Sequence, residues 1–345
     1  MKALSKGNRL KRFVGYVVIT AGALLVLGVA ALVAWTLALD YRFDRQNRKL
    51  VQSISEKLAP VVVRTPKAIW DTDLHPYGFP VGSFDSPYLN YTAPATVAMS
   101  DSLAAVTFHK SSYAAGNQLI QDVHLIMLSA GDGSLVTNTQ WPEQGPLGLG
   151  PGIFCCTKND EFYAHADGWL LIKNGRVVGR QKVNPVGPNR QKIHVSLGSS
   201  NRPTTVEIVN EDGSKNTLQT DCGNVGDSFL SKNAFVIIDC NTLSVIDMDG
   251  HLFFSDAFSG ADLKFGGASR NGKRFVISVS AWRPGDPPYL TDEWLVVYDT
   301  EHRAPVFAVK SDPLPYVQSQ SALSADGNYL LTGSGGHLRF FKVWQ

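Results

Sequence analysis

From Phe13 to Leu39 the chain runs FVGYVVITAGALLVLGVAALVAWTLAL, 27 residues without a charge. A helix of that length rises about 40 Å, more than the roughly 30 Å of a bilayer's hydrocarbon core. In lipid only a helix lets such a segment satisfy its own backbone hydrogen bonds. A soluble core helix this long would keep a polar face. A cleaved leader would have an apolar stretch of about 7–15 residues and a small-x-small site, and Leu37-Ala38-Leu39-Asp40 is a poor one. The expectation is a retained signal-anchor: one transmembrane helix over 13–39, with membrane lipid as its partner.

The flanks set the orientation. The tail 1–12 carries Lys2, Lys6, Arg9, Lys11 and Arg12 and no acid, while 40–49 carries four cations and two acids. Lys and Arg counts nearly tie, so the deciding point is what would have to cross. Moving the basic tail outward opposes the positive-inside preference, whereas long C-terminal domains translocate largely regardless of charge. The expected topology is a single-pass plasma (inner) membrane protein with residues 1–12 cytoplasmic and the C-terminal domain extracytoplasmic.

Residues 40–60 keep a helical period, with Phe43, Leu50, Val51, Ile54 and Leu58 near one face and charges elsewhere. They read as a juxtamembrane stalk that Pro60 ends, or as a helix lying on headgroups. Residues 61–345 then form one domain. The formal net charge is +2, so no overall field points to nucleic acid. The four cysteines, Cys155, Cys156, Cys222 and Cys240, contain no C-x-x-C pair, which argues against a zinc ribbon. Outside the cytoplasm disulfides persist, and Cys222 with Cys240 is one candidate pair among three full pairings; four buried thiols are the other reading.

Beyond Val61 the character is β. VVVR reads as a strand, 71–94 as irregular, and then apolar strands alternate with Asp-Gly and Asn-Gly turns. Several stretches share a plan of turn, apolar strand, gap, and a strand ending in Asp: NGKRFVISVS with EWLVVYDTEHRAPVFAV, and ADGNYLLTGSGGHLRFFKVW. Units of ~40–50 residues with about four strands each are the signature of propeller blades. The turn Ser324-Ala325-Asp326-Gly327 and the strand Val296 to Asp299 resemble those of the WD40-like and quinoprotein-like β-propellers of bacteria, over roughly 95–345. That resemblance implies an all-β, six- or seven-bladed propeller behind the transmembrane helix. Its last strand would need an N-terminal partner, for which Val61–Arg64 is the candidate. A β-sandwich, or a pair of them, is the competing architecture.

Motifs of chemistry do not stand out. Thr332-Gly333-Ser334-Gly335-Gly336-His337 fits a glycine-rich hairpin turn better than a nucleophile. Asp71, Asp73 and His75 are close in sequence but read as loop decoration, and Asp247-Met248-Asp249-Gly250 lacks the later ligands of a calcium loop. The adjacent Cys155-Cys156 resembles the vicinal pair of quinoprotein alcohol dehydrogenases, yet their repeated tryptophan pattern has one imperfect copy here. The basic stretch from Lys173 to Lys192 reads as the solvated side of hairpins. The expectation is therefore no metal, no cofactor, no nucleic acid, and a non-enzymatic binding or scaffold module for a protein or small ligand. A quinone-dependent or other enzyme with its site in the propeller channel is the alternative. The loop from Trp282 through Arg283 to Tyr289 is the candidate binding loop, because rigid scaffolds hold such loops for partners.

Overall fold

The computed structural model describes residues 4–61, 67–79, 96–113, 119–142, 153–155, 160–165, 169–181, 193–196, 204–209, 213–220, 225–231, 234–247, 249–284, 289–311 and 318–343. The chain forms two units, Met1–Lys49 and Leu50–Gln345. Helix α1, Leu4–Leu58, supplies the first and gives its last turns to the second.

Between its charged ends, from Phe13 to Leu39, the first unit carries no charged residue. Leu24, Leu25, Val26 and Trp35 all stand open. Two hydroxyls in that stretch turn inward on the helix: Thr20 donates to the Tyr16 carbonyl and Thr36 to that of Val33, each at 2.8 Å. Such local bonding is what a hydroxyl does where water is absent. This helix is long and apolar enough to cross a membrane.

The second unit is all-β. Strand β1 is Trp70–Asp73, and a short 3₁₀ turn, His75–Tyr77, follows it. The other strands are β2 (Thr96–Met99), β3 (Leu103–Tyr113), β4 (Leu119–Ser129), β5 (Leu135–Pro142), β6 (Ile153–Cys155), β7 (Glu161–His165), β8 (Trp169–Lys173), β9 (Arg176–Gln181), β10 (Ile193–Ser196), β11 (Thr204–Val209), β12 (Lys215–Thr220), β13 (Val225–Ser231), β14 (Ala234–Asp239), β15 (Thr242–Asp247), β16 (Leu252–Ala257), β17 (Asp262–Ala268), β18 (Arg274–Arg283), β19 (Tyr289–Asp299), β20 (Ala304–Ser311), β21 (Gln320–Leu323), β22 (Tyr329–Ser334) and β23 (His337–Lys342). Among the described residues they make six antiparallel sheets in chain order: β2–β5, β6–β9, β10–β12, β13–β16, β17–β20, and β21–β23 joined by β1. The first strand of one sheet lies beside the first strand of the next, β6 by β2, β2 by β21, β21 by β17 and β17 by β13. This is a propeller-like arrangement.

The packing explains why the strands read as apolar runs. In β4, Ile126 and Leu128 face the sheet of β21–β23, while Leu125 and Met127 face that of β6–β9. In β19, Trp294, Val296 and Tyr298 face one way and Leu295 and Val297 the other. A sheet buried on both faces needs apolar or internally bonded side chains on both, as Ser278 is bonded to Glu293, so the period of two vanishes from the sequence. The core is accordingly a set of layers between neighbouring sheets.

Two features differ from the sequence expectation. The strand that completes the last sheet is Trp70–Asp73, in antiparallel register Trp70↔Phe340 to Asp73↔His337, and not Val61–Arg64; residues 62–64 lie outside the described residues. Pattern reading passed over it because WDTD has a single apolar residue. Its hold is aromatic and local: Trp70 stacks on Phe340 at 5.2 Å and donates its indole N–H to the Ala130 carbonyl at 2.9 Å. Gly133 makes room for this, since a Cβ there would sit 2.8 Å from the Trp70 ring and its φ is +73°.

The second difference is the helix end. Leu50, Val51, Ile54 and Leu58 pack into the core layer shared by β14, β15, β17, β18 and β19, where Ile54 is 2% and Leu58 0% exposed. Lys57 pairs with Asp256, donates to the Ala257 carbonyl, and lies over the Phe258 ring at 4.3 Å. Asp256 also accepts the Tyr298 hydroxyl at 2.7 Å, and burial, reinforced by that carboxylate, pushes the phenol far above its ordinary range. The apolar face from Leu50 onward is thus spent on β-structure.

Candidate functional site

The turns at one end of the strands are built from one local device. Ser324 donates to Asp326 at 2.6 Å and accepts the Tyr329 N–H at 3.0 Å, while the Asn328 N–H reaches Asp326 at 2.9 Å. Ser269, Asn271 and Arg274 repeat it, with 2.8 Å from Ser269 to Asn271 and 2.9 Å from the Arg274 N–H to Ser269. Ser100 accepts the Leu103 N–H at 3.0 Å in the turn from β2 to β3. Short side-chain acceptors that bond the backbone a few residues on are what make such turns tight.

These turns also tie neighbouring sheets together. Arg274 pairs with Asp299 at 3.2 Å and donates to the Gly327 carbonyl at 3.0 Å and to Asn328 at 2.9 Å. Burial alone would raise the Asp299 carboxyl; N–H donation from His302 and Glu301 and the side chains of His302 and Arg274 outweigh it and hold it below the ordinary carboxylate range. Ser100 and Ser102 both donate to Asp160 from the next sheet, the latter at 2.7 Å.

Where the first and last sheets meet at this end, a groove of about 370 Å³ opens. Its floor is Met99, Ala130 and Phe340, its walls include Tyr329 and Ile69, and Asp101 and Asp326 reach it from the two sheets. Trp70, Phe340 and Tyr329 form a three-ring stack, with centroids 5.2 and 5.1 Å apart and planes within 10°. Asp326 is held ionised: burial would raise its carboxyl, but the Ser324 hydroxyl and the Asn328 donors outweigh that and hold it low. Asp101 is exposed, and no hydrogen bond or ion pair engages it among the described residues. The groove therefore joins an aromatic and apolar floor to negative charge.

The residues singled out from sequence lie elsewhere. Trp282 and Arg283 end β18 and Tyr289 begins β19, in register Trp282↔Leu290 and Arg283↔Tyr289. Trp282 and Arg283 are half-buried and Tyr289 is exposed, at the opposite strand ends from the groove; 285–288 lie outside the described residues. Cys240 is disulfide-bonded and sits at φ +52° in the turn between β14 and β15, while Cys222 lies outside the described residues. Cys155 ends β6, and Cys156 lies outside them.

The polar clusters resolve into turns. Asp73 accepts the backbone N–H of His75 at 3.0 Å and meets its ring at 2.6 Å. Asp71 instead meets His337 at 2.9 Å and Arg339 at 3.0 Å, so the structure splits the Asp71, Asp73, His75 group between two sets of partners. Asp247, Asp249 and His251 bring potential ligand atoms within 4.8 Å, but Asp247 is taken by the Asp249 and His251 N–H groups and the His251 ring. Gly335 and Gly336 form the β22–β23 turn with positive φ, and Ser334 pairs across it with His337. In the basic stretch Lys173 pairs with Glu161 at 2.6 Å, Arg176 and Arg180 stand at the surface, and Lys182, Arg190 and Lys192 lie outside the described residues. Sequence reading had the Ser324-to-Gly327 turn in hand but not Asp101, Tyr329 or Phe340. The packing of β2 against β21, the first strands of the first and last sheets, brings the far end of the chain beside Asp101.

No family model and no curated protein matches the chain. Among solved structures, a chain titled "Crystal Structure of Mitotic Checkpoint Complex" aligns at TM-score 0.34 and 13% identity, covering 81% of this chain and 96% of that one. Kluyveromyces lactis Hsv2 aligns at TM-score 0.30 and 11% identity, covering 68% and 73%. At these scores the likeness carries no argument of its own, and the propeller-like fold rests on the sheets described above.

Proposed function

We propose that this chain is a membrane-anchored binding or scaffold module. In this reading residues 13–39 cross the plasma (inner) membrane once, the basic N-terminus is cytoplasmic, and a six-bladed β-propeller on the extracytoplasmic side holds a partner without catalysis. The observation that carries it is the seam groove, an open, mixed aromatic and acidic recess on braced sheets. Recesses with a mostly apolar lining and a few placed polar groups are the usual form of a binding site. The hairpin end with Trp282, Arg283 and Tyr289 is a second surface on the same scaffold, with Tyr289 42% exposed.

The disulfide at Cys240 supports the compartment, since disulfides persist outside the reducing cytosol. We assign its partner as Cys222. A non-reducing peptide map of the protein from native membranes should recover Cys222 linked to Cys240. A free Cys240 thiol there would remove the support for an extracytoplasmic domain.

Binding is tested with a photo-crosslinking residue at Ile69 on the groove rim, or at Tyr289, in the full-length protein in its own membranes. The expected result is a discrete, saturable adduct from one or both positions and none from Leu135, an exposed control on β5. Equal adducts from all three positions, or none from any, would end the binding-module reading.

A further inference from the structure

We infer that the seam groove receives a lysine or arginine side chain from a basic segment of a partner protein. This rests on the binding-module reading and names the ligand class for its groove. The two ends of a long cationic side chain have different demands: the methylene stem gains from apolar contact, and the head needs charge or water. The groove meets both. Met99, Phe340 and Tyr329 offer apolar and aromatic surface, and Asp101 and Asp326 supply carboxylates from opposite sheets. A cation near the Tyr329 face is also attracted by its ring quadrupole. Among the described residues no lysine, arginine or histidine lines the groove, so none of them neutralises the two acids. The guanidinium that reaches that turn from β18, Arg274, is already balanced by Asp299. Asp326 spends bonds on Ser324 and Asn328, but Asp101 has none among the described residues. Its carboxylate is the one available to pair with an incoming head group. An anionic or neutral ligand would leave Asp101 and Asp326 without a countercharge, and an anionic lipid headgroup is disfavoured for the same reason.

The test uses the full-length protein in detergent micelles and two labelled peptides, tri-arginine and its tri-citrulline isostere, which keeps the shape and removes the charge. The arginine peptide should bind about tenfold or more tightly than the citrulline peptide, in keeping with charge-assisted hydrogen bonds. Asp101→Asn should erase most of that ratio, Tyr329→Leu part of it, and Asp249→Asn, an exposed acid in another turn, none. Asp101 makes no bond that the fold uses, so its variant should unfold at the wild-type temperature. Equal affinity for the two peptides, or an equal loss from Asp249→Asn, would overturn the assignment. Should crosslinks at Ile69 persist while the peptides fail, the ligand class falls and the binding module stands.

Discussion

Replacing Ile54 with aspartate is expected to disrupt the β-domain, although the residue lies on the helix that leads out of it. Ile54 is 2% exposed and packs among Val236, Leu243, Leu263 and Ile277. The change removes a buried aliphatic side chain and puts an unpaired carboxylate in its place. The first effect costs about 2–5 kcal/mol and the second adds to it unless the group protonates or the helix end lifts off. Domains have only about 5–15 kcal/mol in hand, so the β-sheets should melt far below the wild-type temperature or never assemble. Ser53→Asp, one position away on the exposed side, should unfold within about 0.5 kcal/mol of wild type. Thermal unfolding of the full-length protein in detergent, followed by the far-ultraviolet β signal, distinguishes the two. Equal melting of both variants would mean that the last helical turns do not belong to the core.

Arg274→Leu should produce the second large loss, on the order of 3–5 kcal/mol, because it strands a buried carboxylate. Arg274 and Asp299 are 12% and 8% exposed. Without the guanidinium, Asp299 keeps the N–H groups of Glu301 and His302 and the His302 ring but loses its permanently charged partner. The Gly327 carbonyl and Asn328 lose their donor as well, so β18 is released from the β21–β22 turn in the same step. Asp299→Asn on top of Arg274→Leu should recover part of the loss, since the buried charge is then gone. Denaturant unfolding of the single and double variants measures this. A double variant no better than the single would show that the guanidinium acts through shape alone.

Most of the strands were legible because they are largely apolar: WLVVY is buried from both sides, and FVISVS breaks its apolar run only with Ser278 and Ser280, which bond each other. The turn at Ser324 was legible because its serine and aspartate bond their own backbone. Long-range pairing was not. WDTD carries one anchoring residue, Trp70, and its partner Phe340 stands at the other end of the chain, so no local pattern joins them. The apolar face of Leu50, Val51, Ile54 and Leu58 was visible as a stripe, but a stripe does not say what covers it. The groove was invisible because it too depends on long-range contact, with Asp101 and Asp326 approaching only when β2 packs on β21.

Strand β1 also sets a clock on assembly. Trp70 leaves the ribosome some 270 residues before Phe340, the residue it stacks on. At about 5–20 residues per second the interval is roughly 15–50 s. Throughout it the indole has Ala130 beside it but not Phe340, and β2 has β3 but not β21, so a chain under synthesis displays one side of the seam uncovered. The completion of the last sheet is therefore an event that the cell must wait for, and chaperones that shield nascent chains have their longest task at the stretch that later frames the groove.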